Sequence, residues 1–316
     1  MMNLGDVYGR TFKTLRVSLL STCNLGCVYC TVGDATINVD KKAQTPAAHF
    51  LKSIAQLHEQ LNLETVRFTG GEPLLYHDLI TVVEGVREIG IPHIKITTNA
   101  YLLDRMAPLL KEAGLQSVNV SLDAVDEEAF FKMSKRRHVD RVLKGIDTAL
   151  KCGLEVKLNS VVLKGLNHEQ ILPLLDYAFD RNIPIRFLEV MAMGHLHNQA
   201  DQYLFTQEDI LLTIASKYDF MRLPRKVSAT ANYWQTDEGK VFGIVANESE
   251  PFCHDCNRLR LDAQGNIYGC LSSNFPVSIN NIETEEELEQ KLKQAMKQKQ
   301  KVKFTGSELS MLHIGG

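Results

Sequence analysis

The chain has 316 residues, 44% of them hydrophobic and 23% charged, the composition of a globular protein large enough to bury its own core. Its 35 basic and 38 acidic side chains leave a net charge of −3, which excludes bulk electrostatic binding to nucleic acid; any anionic ligand must be met by locally placed arginines. No apolar run reaches the length of a membrane span and the opening MMNLGDVYGR carries no export signal, so a reducing cytoplasm is expected for the seven cysteines.

From about Thr14 to Val190 short β-branched runs alternate with longer helical patterns. TLRVSLL reads as a strand and leads into a cysteine loop. A helix is predicted over Pro46–Leu61, where Phe50, Leu51, Ile54, Leu57 and Leu61 fall on one face. TVRFT, HIKITT, SVNVSL, VKLNSVVL and IRFLEV read as further strands. Helices are predicted between them over His77–Ile89, Leu103–Ala113, Val139–Leu150 and Ile171–Asp180. Six strands, each followed by a crossover, make an α/β fold with a parallel sheet. With fewer repeats than a closed barrel needs, an incomplete (β/α)6 TIM-type barrel with a wide side opening is expected, its site at the strand ends. After Gly194 the rhythm breaks. A helix over Thr206–Ser216, short strand-like runs and the charged segment ETEEELEQKLKQAMKQKQK follow. This predicts a smaller C-terminal α+β domain, with the division at 1–217 and 218–316. The lysines ending the charged segment read as a solvated helix terminus, and a nucleic-acid patch is the alternative reading.

The cysteines carry the chemistry. Cys23, Cys27 and Cys30 have C-x3-C-x2-C spacing; Cys253, Cys256 and Cys270 have C-x2-C-x13-C spacing. Iron–sulfur clusters are usually held by four thiolates, so two triads without a fourth cysteine suggest two 4Fe–4S clusters, each with one iron open to a non-protein ligand. Disulfides are not expected in a chain of this size and compartment. Zinc stays open for the second triad, which His254 could complete. Cys152, at the end of an apolar helical pattern, is expected as a small buried side chain. In RFTGGEPLL, Gly70 and Gly71 allow main-chain groups to approach a ligand closely, and Glu72 adds an anion suited to an ammonium. Arg258 and Arg260 are two apart after a cysteine, so a strand there would aim both at one ligand. A rigid multi-donor fork suits phosphate.

The first triad, directly after a first strand, resembles the radical S-adenosylmethionine superfamily. The resemblance implies that the first cluster binds S-adenosylmethionine and generates a 5′-deoxyadenosyl radical. By the same match Tyr29, Gly71, Glu72, Ser121 and Met191 contact that cofactor. The second triad with its paired arginines and the terminal MLHIGG resembles the GTP 3′,8-cyclase family of molybdenum cofactor biosynthesis, from DVYGR and LRVSLL through NVSLDAVDEEAF and RFLEVMAMG to the last glycine. This implies a lyase that forms 3′,8-cyclo-7,8-dihydro-GTP with guanine at the second cluster. Arg16, Arg67, Thr98, Lys157, Arg258 and Arg260 match GTP contacts, and Arg258, Arg260, Gly315 and Gly316 match catalytic positions. The implied partners are GTP, a flavodoxin or ferredoxin as electron donor, cyclic pyranopterin monophosphate synthase as the next enzyme, and a second copy in a homodimer; neither nucleic acid nor membrane is implied. The chain departs from the pattern at Gly26, Thr31, Val32, Ala100, Thr65 and Tyr76, the last two removing positive charge expected near the pocket. The alternative function is another two-cluster radical enzyme that modifies a peptide or small metabolite.

Overall fold

A computed structural model describes residues 4–31 and 44–315. The first half runs β1 (Thr14–Ser18), α1 (Ala47–Leu61), β2 (Thr65–Thr69), α2 (Leu79–Ile89), β3 (His93–Thr98), α3 (Leu103–Ala113), β4 (Ser117–Ser121), α4 (Glu127–Ser134), α5 (Val139–Lys151), β5 (Glu155–Val162), α6 (Ile171–Asp180) and β6 (Ile185–Glu189). The second continues with α7 (Gln207–Ala215), β7 (Phe220–Arg222), β8 (Asn232–Thr236), β9 (Val241–Val245), β10 (Arg258–Leu261), β11 (Asn266–Tyr268), β12 (Val277–Ser278), α8 (Glu285–Met296) and α9 (Met311–Ile314).

β1 to β6 lie side by side in chain order, all parallel. Both ends of this set are extended by the second half: β10 pairs in parallel with β1, and β9 with β6. The result is one open sheet, ordered β12-β11-β10-β1-β2-β3-β4-β5-β6-β9-β8-β7. The α/β class and the six consecutive parallel strands agree with the sequence; the second half adds strands to the same sheet.

Helix faces follow the apolar spacing. α1 buries Phe50, Ile54, Leu57 and Leu61, and α5 buries Val139, Val142, Ile146 and Ala149. α1, α2 and α3 each end on a left-handed residue, Asn62, Gly90 and Gly114, which stops the helix and turns the chain back toward the sheet. α4 was not expected from the apolar pattern, being only eight residues long. Its signal is polar: Asp126 accepts from Ala129 N, and Glu127 and Glu128 occupy the first turn. Cys152 caps α5 and is half-buried rather than fully buried. α8 starts on Thr284 with three glutamates in its first turn and buries Leu288, Leu292, Ala295 and Met296.

A parallel sheet covered on both faces carries apolar residues on both. Here the helix side is apolar and the other side is not. In β5, Val156, Leu158, Ser160 and Val162 are buried, while Lys157 and Asn159 alternate with them on the opposite face. Arg16, Arg67, Lys95, Asn119 and Arg186 fall on that same polar face of the other strands.

Candidate active site

The polar face of the sheet opens on a cavity of about 590 Å³, touched by residues of all six parallel strands and of β10. All six cysteines of the two triads line it, each as a free thiol, so one space serves both. The lining also includes Tyr29, Gly71, Glu72, Ser121 and Met191, as well as Arg16, Arg67, Thr98, Arg258 and Arg260. Lys157 is half-buried on the same sheet face, outside the lining, where it feels Arg186, Lys95 and Arg67.

The first cysteine loop is pinned from several sides. Gly71 N donates to Leu20 O at 2.7 Å and Glu72 N to Thr22 O at 2.8 Å. A Cβ on Gly71 would collide with Thr22 O, and one on Gly70 with Leu20 O. The two glycines therefore let main chain pack against the cysteine loop, while both also line the cavity where close approach to a ligand was expected of them. Glu72 is buried and accepts from Leu74 N at 2.9 Å, Thr98 Oγ1 at 2.6 Å and Asn99 N at 2.7 Å. Burial pushes its carboxyl up to about 7 against these hydrogen bonds. Asn99 reaches the loop through Asn24 Oδ1 at 2.7 Å and Cys23 Sγ at 3.7 Å. Tyr29 donates to Asp123 Oδ2 at 2.8 Å, and Asp123 Oδ1 accepts from Val161 N at 2.9 Å.

The second triad is held by groups that no motif singled out. Arg10 donates to Cys253 O at 2.8 Å and Gln300 O at 3.2 Å, and its Nε bonds Asp6 at 2.7 Å. Arg225 makes a two-pronged contact to Asp255 at 2.9 and 2.8 Å. Lys299 Nζ sits 3.2 Å from Cys256 Sγ. His254 does not complete the triad: its side chain is 61% exposed and lies outside the cavity lining.

Burial, then Glu72, drives the Cys23 thiol up to about 12; burial, then Asp123, drives Cys27 well up; and burial drives Cys30 up to about 11. Cys253 is pushed up to about 11 by burial and then by Cys270. At Cys256 burial opposes ionisation, but Arg258 and Lys299 outweigh it and bring the thiol down to about 6. Metal deprotonates a coordinating thiol outright, so three half-buried thiols facing one cavity suit a metal-cluster site. Among the described residues no three histidine, cysteine or acidic side chains gather tightly enough to hold a single ion. A multi-iron cluster does not require that, because it meets each thiolate at a different iron.

Cations cross the cavity floor in register. Arg260 of β10 pairs with Arg16 of β1, Arg16 with Arg67 of β2, and Arg67 with Lys95 of β3. Like charges on adjacent strands are unfavourable. Burial first, then Arg260, Arg258 and Arg67, pulls Arg16 well below its usual value, and burial followed by Arg186 brings Arg67 down to about 9. Guanidinium stays charged in proteins, so these are buried positive charges crowded by like charges, a setting that favours a bound anion. Their partners are neutral: with its amide oxygen turned toward them, Asn119 accepts from Arg186 Nη2 at 2.7 Å and Arg67 Nη1 at 3.0 Å. Arg186 Nε also donates to Asn159 Oδ1 at 2.9 Å. Arg258 donates to Ser228 O at 3.1 Å, and Arg260 to Ile314 O at 3.2 Å and to Gly315 O.

The C-terminal segment enters the same space. Ser310 Oγ donates to Cys30 O at 3.2 Å, and Gly315 has a φ of 69°, with no room for a Cβ against Thr69 Oγ1. Gly316 and Val32 lie outside the described residues. Tyr76 is buried, donates to Thr45 O at 2.7 Å and is not part of the cavity lining, so of the two charge-removing departures only Thr65 faces the cavity.

The family model described as the radical SAM superfamily matches residues 17–178, and that described as Molybdenum Cofactor Synthesis C matches residues 183–305. A GTP 3′,8-cyclase of Synechocystis sp. is 34% identical over 283 residues, covering 90% of this chain and 86% of that one. The chain belongs to the GTP 3′,8-cyclase family of the radical S-adenosylmethionine superfamily. A second GTP 3′,8-cyclase, from Staphylococcus carnosus, is 36% identical over 85% of this chain and 81% of that one. Solved structures share the fold. SuiB of Streptococcus suis, bound to S-adenosylmethionine, superposes with a TM-score of 0.64 at 16% identity over 88% of this chain, which spans 65% of that longer one. anSMEcpe with bound AdoMet gives 0.59 at 15% identity, over 86% of this chain and 79% of that one. The cofactors of this superfamily are S-adenosylmethionine and iron–sulfur clusters, and the half-buried cysteine triads facing the cavity fit the latter.

Sequence motifs found the cysteines, Gly71, Glu72 and the paired arginines. They missed Lys95, Asn119, Asn159 and Arg186, which belong to no motif. Those four sit in phase with Arg16 and Arg67 on the polar side of alternating strands, and that alternation is the signal that locates them. Arg10 and Lys299 act from distant segments and have no local signal.

Proposed function

We propose that this chain is a lyase that cyclises GTP to 3′,8-cyclo-7,8-dihydro-GTP, the first step of molybdenum cofactor biosynthesis. One observation carries the reading beyond family membership: two cysteine triads and an in-register row of cations share a single cavity. When bound, S-adenosylmethionine and a reduced cluster supply a 5′-deoxyadenosyl radical able to take hydrogen from C3′ of the ribose. Cys23, Cys27 and Cys30 hold the first 4Fe–4S cluster. Tyr29, Gly71, Ser121 and Met191 flank the cofactor, and Glu72 keeps one acceptor position for its ammonium, three of its four lone-pair sites being occupied. Cys253, Cys256 and Cys270 hold the second cluster beside the base.

Arg16, Arg67, Lys157, Arg258 and Arg260 meet the triphosphate. Thr98 donates to Glu72 and accepts from Ala100 N, which leaves one lone pair for a nucleotide hydroxyl. Gly315 brings the tail against Arg260 and closes the site, and a catalytic role is proposed for Gly316 together with it. The proposed division falls near residue 218, with the radical made before it and the second cluster and the Arg258–Arg260 pair after it; Arg16, Arg67, Thr98 and Lys157 reach the substrate from the first part. A low-potential flavodoxin or ferredoxin supplies the electron, cyclic pyranopterin monophosphate synthase consumes the product in the cytoplasm, and a homodimer is the proposed assembly.

Anaerobic incubation with reductant, S-adenosylmethionine and GTP, followed by mass analysis, tests this. Equal formation of 5′-deoxyadenosine and cyclised nucleotide is expected. Cofactor cleavage with GTP left intact would turn the reading to a peptide or small metabolite.

A further inference from the structure

We infer that Lys95 is a substrate-binding residue that grips the phosphate farthest from the base, as the outer end of a cation row leading away from the second cysteine triad. The assignment deepens the GTP reading and rests on it. Arg260, Arg16, Arg67 and Lys95 are direct register partners on four adjacent strands, β10, β1, β2 and β3. Neighbouring strands are about 4.8 Å apart, so the row spans roughly 14 Å. An extended nucleoside triphosphate is about this long from base to last phosphate, with its charges gathered toward one end. Arg260 stands two residues from Arg258 and within the electrostatic reach of Cys270 and Cys256. The end nearest the second triad therefore takes the base side, and the opposite end takes the last phosphate.

Lys95 has no other evident employment. It lines the cavity, half-buried, and the charges acting on it are Arg67, which repels it, and Glu155, which attracts it. Among the described residues its ammonium has no ion pair or hydrogen bond, and none of the ion pairs involves Arg16, Arg67 or Arg260. A lysine kept beside a like charge with no structural partner lowers stability unless an anion arrives. The neutral clamps on Arg67 and Arg186 from Asn119 and Asn159 fix the surrounding guanidiniums without cancelling their charge. The floor is thus pre-organised for several negative charges in line, which an oligophosphate provides and a single carboxylate does not.

The test is anaerobic isothermal titration of the cluster-loaded protein with GTP, GDP and inorganic tripolyphosphate. Lys95→Gln should weaken GTP and tripolyphosphate by about tenfold or more, since a charge-assisted contact is lost, and GDP by much less. Lys95→Arg should retain most of the affinity. Thr65 lines the same cavity one strand away, so Thr65→Lys added to Lys95→Gln should restore GTP binding by returning a cation within reach. Iron content should be unchanged and the ligand-free melting temperature unchanged or higher. GTP and tripolyphosphate affinities within about twofold of wild type would overturn the assignment, as would a Lys95→Gln protein that loses iron, which would mean a structural role. Wild-type protein that binds tripolyphosphate but not GTP would sink the nucleotide reading while leaving Lys95 to be judged on tripolyphosphate. Binding of neither would overturn both.

Discussion

Lys299 Nζ lies 3.2 Å from Cys256 Sγ and donates to the carbonyl oxygen of Arg258, which fixes a buried ammonium against one thiolate of the second triad. Its position is reinforced by the Phe12 ring, whose centroid is 5.1 Å away. A positive charge beside a cluster ligand favours the reduced, more negative state. Lys299→Met, which keeps length but not charge, should lower the reduction potential of the second cluster by tens of millivolts with iron retained. Potentiometric titration followed by electron paramagnetic resonance checks this; an unchanged potential would reduce Lys299 to packing.

Gly315 should not tolerate a side chain. At a φ of 69° alanine is strained, and its methyl would strike Thr69 Oγ1. Gly315→Ala is expected to displace the tail from Arg260 and sharply lower product formation, with iron content and melting temperature kept. Adding Thr69→Ala removes the obstructing oxygen and should recover part of the activity. Full activity of the single variant would show that the tail is dispensable.

The two triads should separate in a labelling experiment. Wild-type protein reconstituted anaerobically is expected to hold about eight irons, if each triad carries a four-iron cube. Cys27→Ala should halve this and end cofactor cleavage. Cys270→Ala should also halve it, but spare some 5′-deoxyadenosine formation while ending cyclisation. Cyclised product from both variants would break the proposed division of labour, and stoichiometric zinc at the second triad would remove the second cluster.

Ala100 is a departure with a measurable cost. It is buried with a φ of 60°, a left-handed conformation that disfavours any Cβ. Ala100→Gly should relieve strain of about 1–2 kcal/mol, less about 0.5–1 kcal/mol for the extra chain entropy of glycine, and so raise the melting temperature by on the order of 2 °C. Calorimetry on the apo protein decides; a lower melting temperature would mean that the methyl packs better than its backbone suffers.

Much of this arrangement was legible in the residues. TLRVS, TVRFT and HIKITT announced strands because their alternation is local, and the cysteine spacings announced cluster loops because the ligands are close in sequence. The cation row was not legible. Arg16, Arg67 and Lys95 become neighbours only through strand register, which is fixed by packing of the helices over the sheet and not by any one segment. Register also brings Arg260 beside Arg16 from the far end of the chain. Tyr76 shows the opposite error: next to a motif in sequence, it is turned into the core and bonded to Thr45. The Gly70–Gly71 pair was read as allowing close approach to a ligand; the pair lines the cavity and also lets main chain pack against the cysteine loop, a second contact that the spacing of glycines does not reveal.

β1 is flanked by β2 on one side and by β10 on the other, and this sets an order of assembly. During synthesis β2 emerges soon after β1, whereas β10 comes only after thirteen further strands and helices have been made. Until then the strand that carries Arg16 has a bare edge, and the wall bearing Arg258 and Arg260 does not exist. Pairing across so long a stretch of chain is slow. The newborn protein therefore passes through a stage in which its first cysteine loop has been made but the second triad and the paired arginines have not. Completion of the cavity is in this sense a late event, because the second triad and the paired arginines join the first cysteine loop only when β10 reaches β1.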